Sequence, residues 1–240
     1  MLTATNIHKA FEGKHVLQGL DISIKPGEIT CVIGPSGGGK TTLLRALALL
    51  DYPDQGEIAF DGHTYQFPVK EKEIVPPWPK VTAVFQSLFL WPHLTLRENI
   101  MLPARTKNEK AEEDLKGLID LFEMGHFINH YPNEASVGQR QRVALARALI
   151  LNPEYILMDE ITSALDVEQT AKILTKLVHL KERGIGIFLI THQLGFTRHA
   201  ADHIVFLESG VVAEEGTSDI LKKPKTERLK KFLSMAELAA

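Results

Sequence analysis

Nine consecutive residues, Gly34-Pro35-Ser36-Gly37-Gly38-Gly39-Lys40-Thr41-Thr42, combine the side-chain types needed to hold a polyphosphate. They fit the phosphate-loop pattern G-x-x-x-x-G-K-[ST], with a second threonine just behind it. Four glycines let the backbone turn so that successive N–H groups face phosphate oxygens. A helix starting there adds partial positive charge. Lys40 then reaches the β- and γ-phosphates, and the Thr41 hydroxyl is a ligand for Mg²⁺. The bland alternative is a glycine-rich turn with a stray lysine. The flanks argue against it. Ile29-Thr30-Cys31-Val32-Ile33 is short, apolar and β-branched, as a buried strand is, and residues 43–50 are rich in helix formers.

A second set ends another apolar run, Tyr155-Ile156-Leu157-Met158-Asp159-Glu160. An acid at the carboxyl end of a strand beside a phosphate loop is where Mg²⁺ needs a partner, and Asp159 fits that role. Glu160, one residue on, fits a group that polarises a water attacking the γ-phosphate. A solvated pair of strand-end acids is the alternative. Ser136, ahead of Val137-Gly138-Gln139 and a run with small residues at Ala144, Ala146 and Ala148, is by itself a helix N-cap.

The elements that must position these groups follow from periodicity. Leu20, Ile22 and Ile24 alternate with polar residues, predicting a half-exposed strand, and Pro26-Gly27 turns the chain into the strand before the glycine loop. Residues 57–60 followed by Asp61-Gly62 predict a hairpin. The proline-rich stretch 70–79 predicts a connector, and 81–85 a second apolar strand. Helices are expected at about 95–102, 109–123 and 139–151, then from 167 to 183, where Gly184 ends the last. Strands at 155–158 and 185–190 and a hairpin over 203–215 follow. Thr217 or Ser218 caps a short helix, and an amphipathic helix starts near 227. The expected architecture is an α/β core with helices inserted between the strands at Val81 and Tyr155.

Composition narrows the function classes. The chain has 240 residues, an ordinary apolar fraction and a formal net charge of −3, which gives no electrostatic footprint for nucleic acid. Its single cysteine, Cys31, excludes an internal disulfide, suits a reducing compartment and is expected in the core. Without a run of eighteen apolar residues or a basic-then-apolar leader, a soluble cytoplasmic chain is expected. His126 and His130 have the i, i+4 spacing of a metal pair on a helix, but no further ligand is evident. The lysines near the C-terminus are interspersed with acids and predict a solvated face.

In this order the motifs resemble those of the ATP-binding-cassette (ABC) ATPases, the motor subunits of ABC transporters, over nearly the full length. Residues 34–42 resemble Walker A, Gln86 the Q-loop glutamine and 135–139 the signature motif usually written LSGGQ. Residues 155–160 resemble Walker B, Ser163-Ala164-Leu165-Asp166 the D-loop and Thr191-His192 the switch histidine. The resemblance implies a P-loop NTPase (RecA-like) core with an N-terminal antiparallel β subdomain and an inserted α-helical subdomain. The chain would form a single ABC ATPase domain, residues 1–87 and 153–240 being core and 88–152 the helical part. It implies hydrolysis of ATP with Mg²⁺ between two head-to-tail copies. Lys40, Glu160, His192 and Gln86 would be catalytic, and Thr41, Gln86 and Asp159 would hold the metal. Gly34, Pro35, Ser36, Gly37, Gly38, Gly39, Lys40, Thr41 and Thr42 would bind the nucleotide from one copy. Ser136, Gly138, Gln139 and Asp166 would act across the dimer. Phe11 stands where the family places an aromatic against adenine, although a core phenylalanine is as simple a reading.

The implied partners are a second ATPase subunit, transmembrane permease subunits and a solute-binding protein, with the chain peripheral on the cytoplasmic face of the inner membrane. Residues 191–196, 201–206 and 224–234 resemble the bacterial polar amino-acid uptake branch. The rival readings are a soluble ABC-type ATPase and a regulatory nucleotide-binding module. Four positions depart from the family pattern: Ala135 for leucine, Val137 for glycine, Ile161 for proline and Gln193 for an acid. None removes a catalytic group, but Val137 is expected to restrict a backbone that glycine leaves free. The segment 87–94 after Gln86 is unusually apolar for a connector; part of it is expected to pack internally, and whichever of Phe89, Leu90 and Trp91 is exposed to help line a groove for a membrane subunit's helix.

Overall fold

The apolar runs flanking the glycine loop build the centre of the molecule. In the computed structural model, which describes residues 1–69, 74–162, 165 and 167–238, β3 (Ile29–Ile33), β7 (Tyr155–Asp159) and β8 (Gly186–Ile190) are buried at every position. With β6 (Val81–Val84), β9 (His203–Glu208) and β10 (Val211–Gly216) they form a six-stranded sheet in the order β10-β9-β3-β8-β7-β6. All its pairings are parallel except the edge hairpin β9-β10. Continuous apolar strands belong in such a sheet because both faces are covered.

The alternation of side chains assigns each strand to two cores. Ile156, Met158, Ile187 and Leu189 point into one, with Leu96, Ile100, Leu115, Val143 and Leu145 from the helical layer. That layer is α2 (Leu96–Ala104), α3 (Ala111–Leu121) and α4 (Val137–Leu149), inserted between β6 and β7, and α5 (Val167–Glu182) joins it. Leu157, Phe188 and Ile190 point the other way, onto α1 (Lys40–Leu47) and a second sheet. This sheet is antiparallel, in the order β2-β1-β4-β5, from β1 (Leu2–Phe11), β2 (Lys14–Ile24), β4 (Gln55–Phe60) and β5 (His63–Phe67). A smaller cluster joins Ile204 and Phe206 to α7 (Asp219–Lys222) and α8 (Glu227–Leu238) through Ile220, Leu221, Leu229 and Leu233. Each buried aliphatic side chain contributes about 1.5–3 kcal/mol, so the two large cores fix the sheet and with it the rim.

Because β3, β6, β7 and β8 run parallel, their carboxyl ends share one rim, and Gly34, Gln86, Glu160 and His192 all follow those ends. Cys31 lies fully buried in β3, where desolvation pushes its thiol up to about 12 and keeps it an inert core group.

Differences from the sequence expectations have local causes. β1 escapes detection because its buried residues, Leu2, Ala4 and Ile7, fall out of phase where the register shifts between Ala4 and Ile7 and Asn6 adopts φ 51°. Helix α6 (Leu194–Ala200) escapes because only Thr197 in it is buried, leaving no apolar stripe. α3 is shorter than 109–123, and α4 starts two residues before 139, directly after the Ser136 cap. His126 and His130 lie in turns after α3 and not on a helix, which removes the geometric basis for pairing them. Of the D-loop motif, Ser163, Ala164 and Asp166 lie outside the described residues. Among the described residues no helix is long and apolar enough to cross a membrane.

Candidate active site

The loop between β3 and α1 is shaped by contacts that only glycine permits. Gly34 has φ 147°, and a Cβ there would come within 2.0 Å of the Leu207 carbonyl oxygen. Gly39, the N-cap of α1, has φ 98°, and its Cβ would meet the Val16 carbonyl at 2.9 Å. The loop is thus clasped between β9 and β2. The hairpin turn at Ser209-Gly210 closes it from the side, the Gly210 N–H donating to the Gly38 carbonyl over 3.1 Å. No side chain caps α1 and no acid lies in its first turn, so its leading N–H groups face the loop mouth without a side-chain acceptor.

Lys40 is buried beneath this loop. Its ammonium donates to the Gly34 and Pro35 carbonyl oxygens at 2.9 and 2.8 Å, and burial lowers its pKa against the opposing pull of Glu160 and Asp159. Two of its three N–H groups therefore orient the charge toward the loop. The Thr41 hydroxyl donates to Asp159 Oδ2 over 2.7 Å. Burial, the larger effect, and the neighbouring Glu160 charge raise the Asp159 pKa above its ordinary value. The exposed Thr41 hydroxyl and the buried Asp159 carboxylate, converging beside a phosphate loop, are the hard oxygen donors that suit Mg²⁺.

Glu160 is the residue where β7 changes direction. Its N–H still donates to the Ile190 carbonyl at 3.0 Å, but its φ is 48°, a left-handed conformation uncommon for a residue with a side chain. Its carboxylate meets His192 Nε2 at 2.6 Å, so the acid and the imidazole at the ends of β7 and β8 form a bonded pair. The left-handed turn costs on the order of 1–2 kcal/mol, held in place by the buried strands on either side.

One cleft of about 700 Å³ brings Ser36, Gly37, Gly39, Lys40, Thr41, Thr42, Gln86 and Glu160 together. A neighbouring cleft of about 930 Å³ is lined by Gly34, Pro35, Ser36 and His192, with α8 on its far side. The first also has Lys14, His15, Val16, Gln18 and Ser209 on its walls. The sequence offered no signal for these, since they are ordinary hairpin residues until the loop packs on them. Phe11 does not line that cleft. It sits 45% exposed opposite Lys14 at the tip of the β1-β2 hairpin, with the Lys9 ammonium 5.3 Å from its ring centre.

The signature residues stand elsewhere. Ser136 is the N-cap of α4, its Oγ accepting from the Gln139 N–H at 3.2 Å while Gln139 Oε1 accepts from the Ser136 N–H at 2.8 Å. This is a closed capping box. Val137 takes the first helical position with right-handed backbone and a 38% exposed side chain, so local geometry makes no demand for glycine there. The nearest atoms to a Cβ on Gly138 would be side-chain ends of Gln169 and Leu165, so movable side chains and not backbone border that position.

Comparison with known proteins adds a second line of observation. Residues 17–163 match the ABC transporter family. The chain is 38% identical to the L-cystine import ATP-binding protein TcyC of Bacillus subtilis, covering 98% of both chains. It is also 38% identical to the glutamine transport ATP-binding protein GlnQ of Escherichia coli, covering 97% of this chain and 98% of that one. Among solved structures, a dimeric post-hydrolysis state of the ATP-binding cassette MJ0796 bound to ADP and Pi superposes with a TM-score of 0.81. That structure is 33% identical, and the match covers 91% of this chain and 99% of the other.

Proposed function

The chain belongs to the ABC transporter family and is an ABC-type ATPase, and on that premise we propose that it powers the import of amino acids. The observation that carries the site reading is the convergence, at one rim, of Lys40 under the glycine loop, the Thr41–Asp159 pair and the Glu160–His192 pair. Those five side chains come from three strand ends and supply a phosphate anchor, a cation site and an oriented base. The amino-acid reading rests on relatives named for L-cystine and glutamine transport.

In this reading the loop N–H groups and the Lys40 ammonium bind the β- and γ-phosphates. Thr41, Asp159 and Gln86 are the residues that would hold Mg²⁺, which when bound neutralises charge on the phosphate oxygens. Glu160 polarises the attacking water, and His192, bonded to that carboxylate, keeps it aimed at the γ-phosphate. Ser136, Gly138, Gln139 and Asp166 act on the nucleotide of a second copy. The Ser136 Oγ already accepts a bond within its own helix, but its O–H proton remains a donor that a γ-phosphate oxygen can take. Residues 88–152 then move as a helical unit against residues 1–87 and 153–240.

The membrane partner docks beside that unit. Phe89 and Trp91 are exposed, Leu90 is half-buried, and Leu50, Trp78, Phe85, Trp91, Pro103 and Leu151 line a largely apolar cavity of about 270 Å³. Such a groove suits a short amphipathic helix offered by a transmembrane permease subunit. The chain thereby works peripherally, on the cytoplasmic membrane face, with a solute-binding protein delivering the amino acid on the other side. Purifying the chain with its membrane partners and assaying ATPase activity against a panel of amino acids tests the proposal. Stimulation by one or a few amino acids is expected, and a rate indifferent to all of them would overturn the import reading. A polar residue in place of Phe89 should abolish that stimulation while leaving the unstimulated rate intact.

A further inference from the structure

Arg147 is a half-buried cation with no carboxylate bonded to it among the described residues. Its guanidinium donates through Nη2 to the Leu88 carbonyl at 2.6 Å and through Nη1 to the Phe89 carbonyl at 2.7 Å. The same group lies 5.4 Å from the centre of the Trp91 ring. Burial alone lowers its pKa, so the charge is held there by backbone dipoles and an aromatic face. An arginine fork matches two successive carbonyls and a ring at once, and a lysine ammonium cannot.

The position of this contact gives it meaning. Arg147 is on α4 about three turns after Ser136, the residue that opens the same helix. Leu88 is two residues after Gln86, which lines the cleft with Lys40, Thr41 and Glu160. The far end of the segment is pinned as well. Asn99 is fully buried, accepts from the Trp91 N–H at 2.8 Å, and donates to the Trp91, Leu94 and Thr95 carbonyls at 3.0 to 3.1 Å. Residues 88–95 are therefore fastened to α4 at one end and to α2 at the other, while Ser87 alone separates them from Gln86.

We infer that Arg147 is the positioning residue that makes Gln86, the Phe89-Trp91 surface and the Ser136 end of α4 respond to nucleotide as one body. Without the fork, Gln86 moves on a loose loop and its displacement is lost before it reaches α4. This rests on the reading of Gln86 as a nucleotide-sensing group of the site. The chain has two tryptophans, so Trp78→Phe leaves Trp91 as the only indole, stacked under Arg147.

The test is acrylamide quenching of Trp91 with ATP and with ADP, in a chain that also carries Glu160→Gln so that bound ATP persists. We expect the quenching constant of this parent to differ by about twofold or more between ATP and ADP. In the Arg147→Met variant that difference should shrink to within experimental error, with ATP affinity changed by less than about threefold. Arg147→Lys should fall between the two. A structural role alone would lower the melting temperature and leave the ATP-dependent difference intact, and that result would overturn the inference. So would a parent that binds ATP without any change at Trp91. A parent that fails to bind ATP would instead overturn the reading of the site itself. Should Arg147→Met not fold, Arg147→Lys decides, since a response of parental size in it counts against the fork.

Discussion

The starts of α1 and α4 are both helix N-termini read as phosphate-facing, and they are built in opposite ways. At α1 the cap is Gly39 in a left-handed conformation, with no side-chain acceptor and no acid in the first turn. At α4 the cap is Ser136, closed by a reciprocal capping box with Gln139. The first terminus leaves its N–H groups for a ligand and surrounds them with a cation, a hydroxyl and an acid pair from the same chain. The second closes two of its donors, the Ser136 and Gln139 N–H groups, on its own side chains and keeps the Ser136 hydroxyl proton to offer. A self-sufficient anion site is therefore expected at α1, and one that contributes only when another molecule's nucleotide is brought to it at α4.

The sharpest way to test the α1 side is Glu160→Gln, which keeps size and hydrogen-bonding reach but loses the charge that polarises water. Turnover should fall by roughly 10² to 10⁴ with ATP still bound, measured by phosphate release alongside calorimetric binding. Near-normal hydrolysis would remove Glu160 from the mechanism. Lys40→Ala comes next, because it deletes the cation anchored by Gly34 and Pro35. ATP affinity should drop about tenfold to a hundredfold, the loss of a charged hydrogen-bond partner, and unchanged calorimetric affinity would sink the loop assignment.

Ser136→Ala probes the α4 side. It should cost about 1 kcal/mol of stability through the lost cap, visible in denaturant unfolding. ATP affinity of the isolated chain should stay the same while turnover falls. Equal loss of affinity at both termini would erase the comparison. The smallest effect concerns Asp159, whose raised pKa means the folded chain keeps a proton that the unfolded chain has released above about 3.8. Its contribution to stability is thus most favourable below that pH and declines as pH rises through the raised value. Asp159→Asn should melt higher than the wild type near neutral pH in the absence of divalent cations. That advantage should vanish in acid, and a pH-independent difference would contradict the burial argument.

Much of the α1 side was legible because its chemistry is local. Glycines, a lysine and two threonines are adjacent in sequence, and the strand before them announces itself by five buried apolar or β-branched residues. The Ser136 cap was legible for the same reason. The hold of Arg147 on the segment after Gln86 was not, since nothing in the alternation of α4 distinguishes an arginine that faces solvent from one that turns inward to two carbonyls. β1 and α6 were hidden by an irregular register and a missing apolar stripe.

Apart from β1 and α6, the sequence by itself determined the order of elements, and with it the glycine loop and the strand-end acids, because each depends on residues within one turn or strand of one another. Only the tertiary structure decided which groups meet. Thr41 reaches Asp159 across 118 positions and His192 reaches Glu160 across 32, distances over which no periodicity carries information. Those meetings follow from the parallel order β3-β8-β7, which sets three strand ends side by side on one rim. That order is chosen by the burial of both sheet faces, a property of the whole chain and of no segment in it.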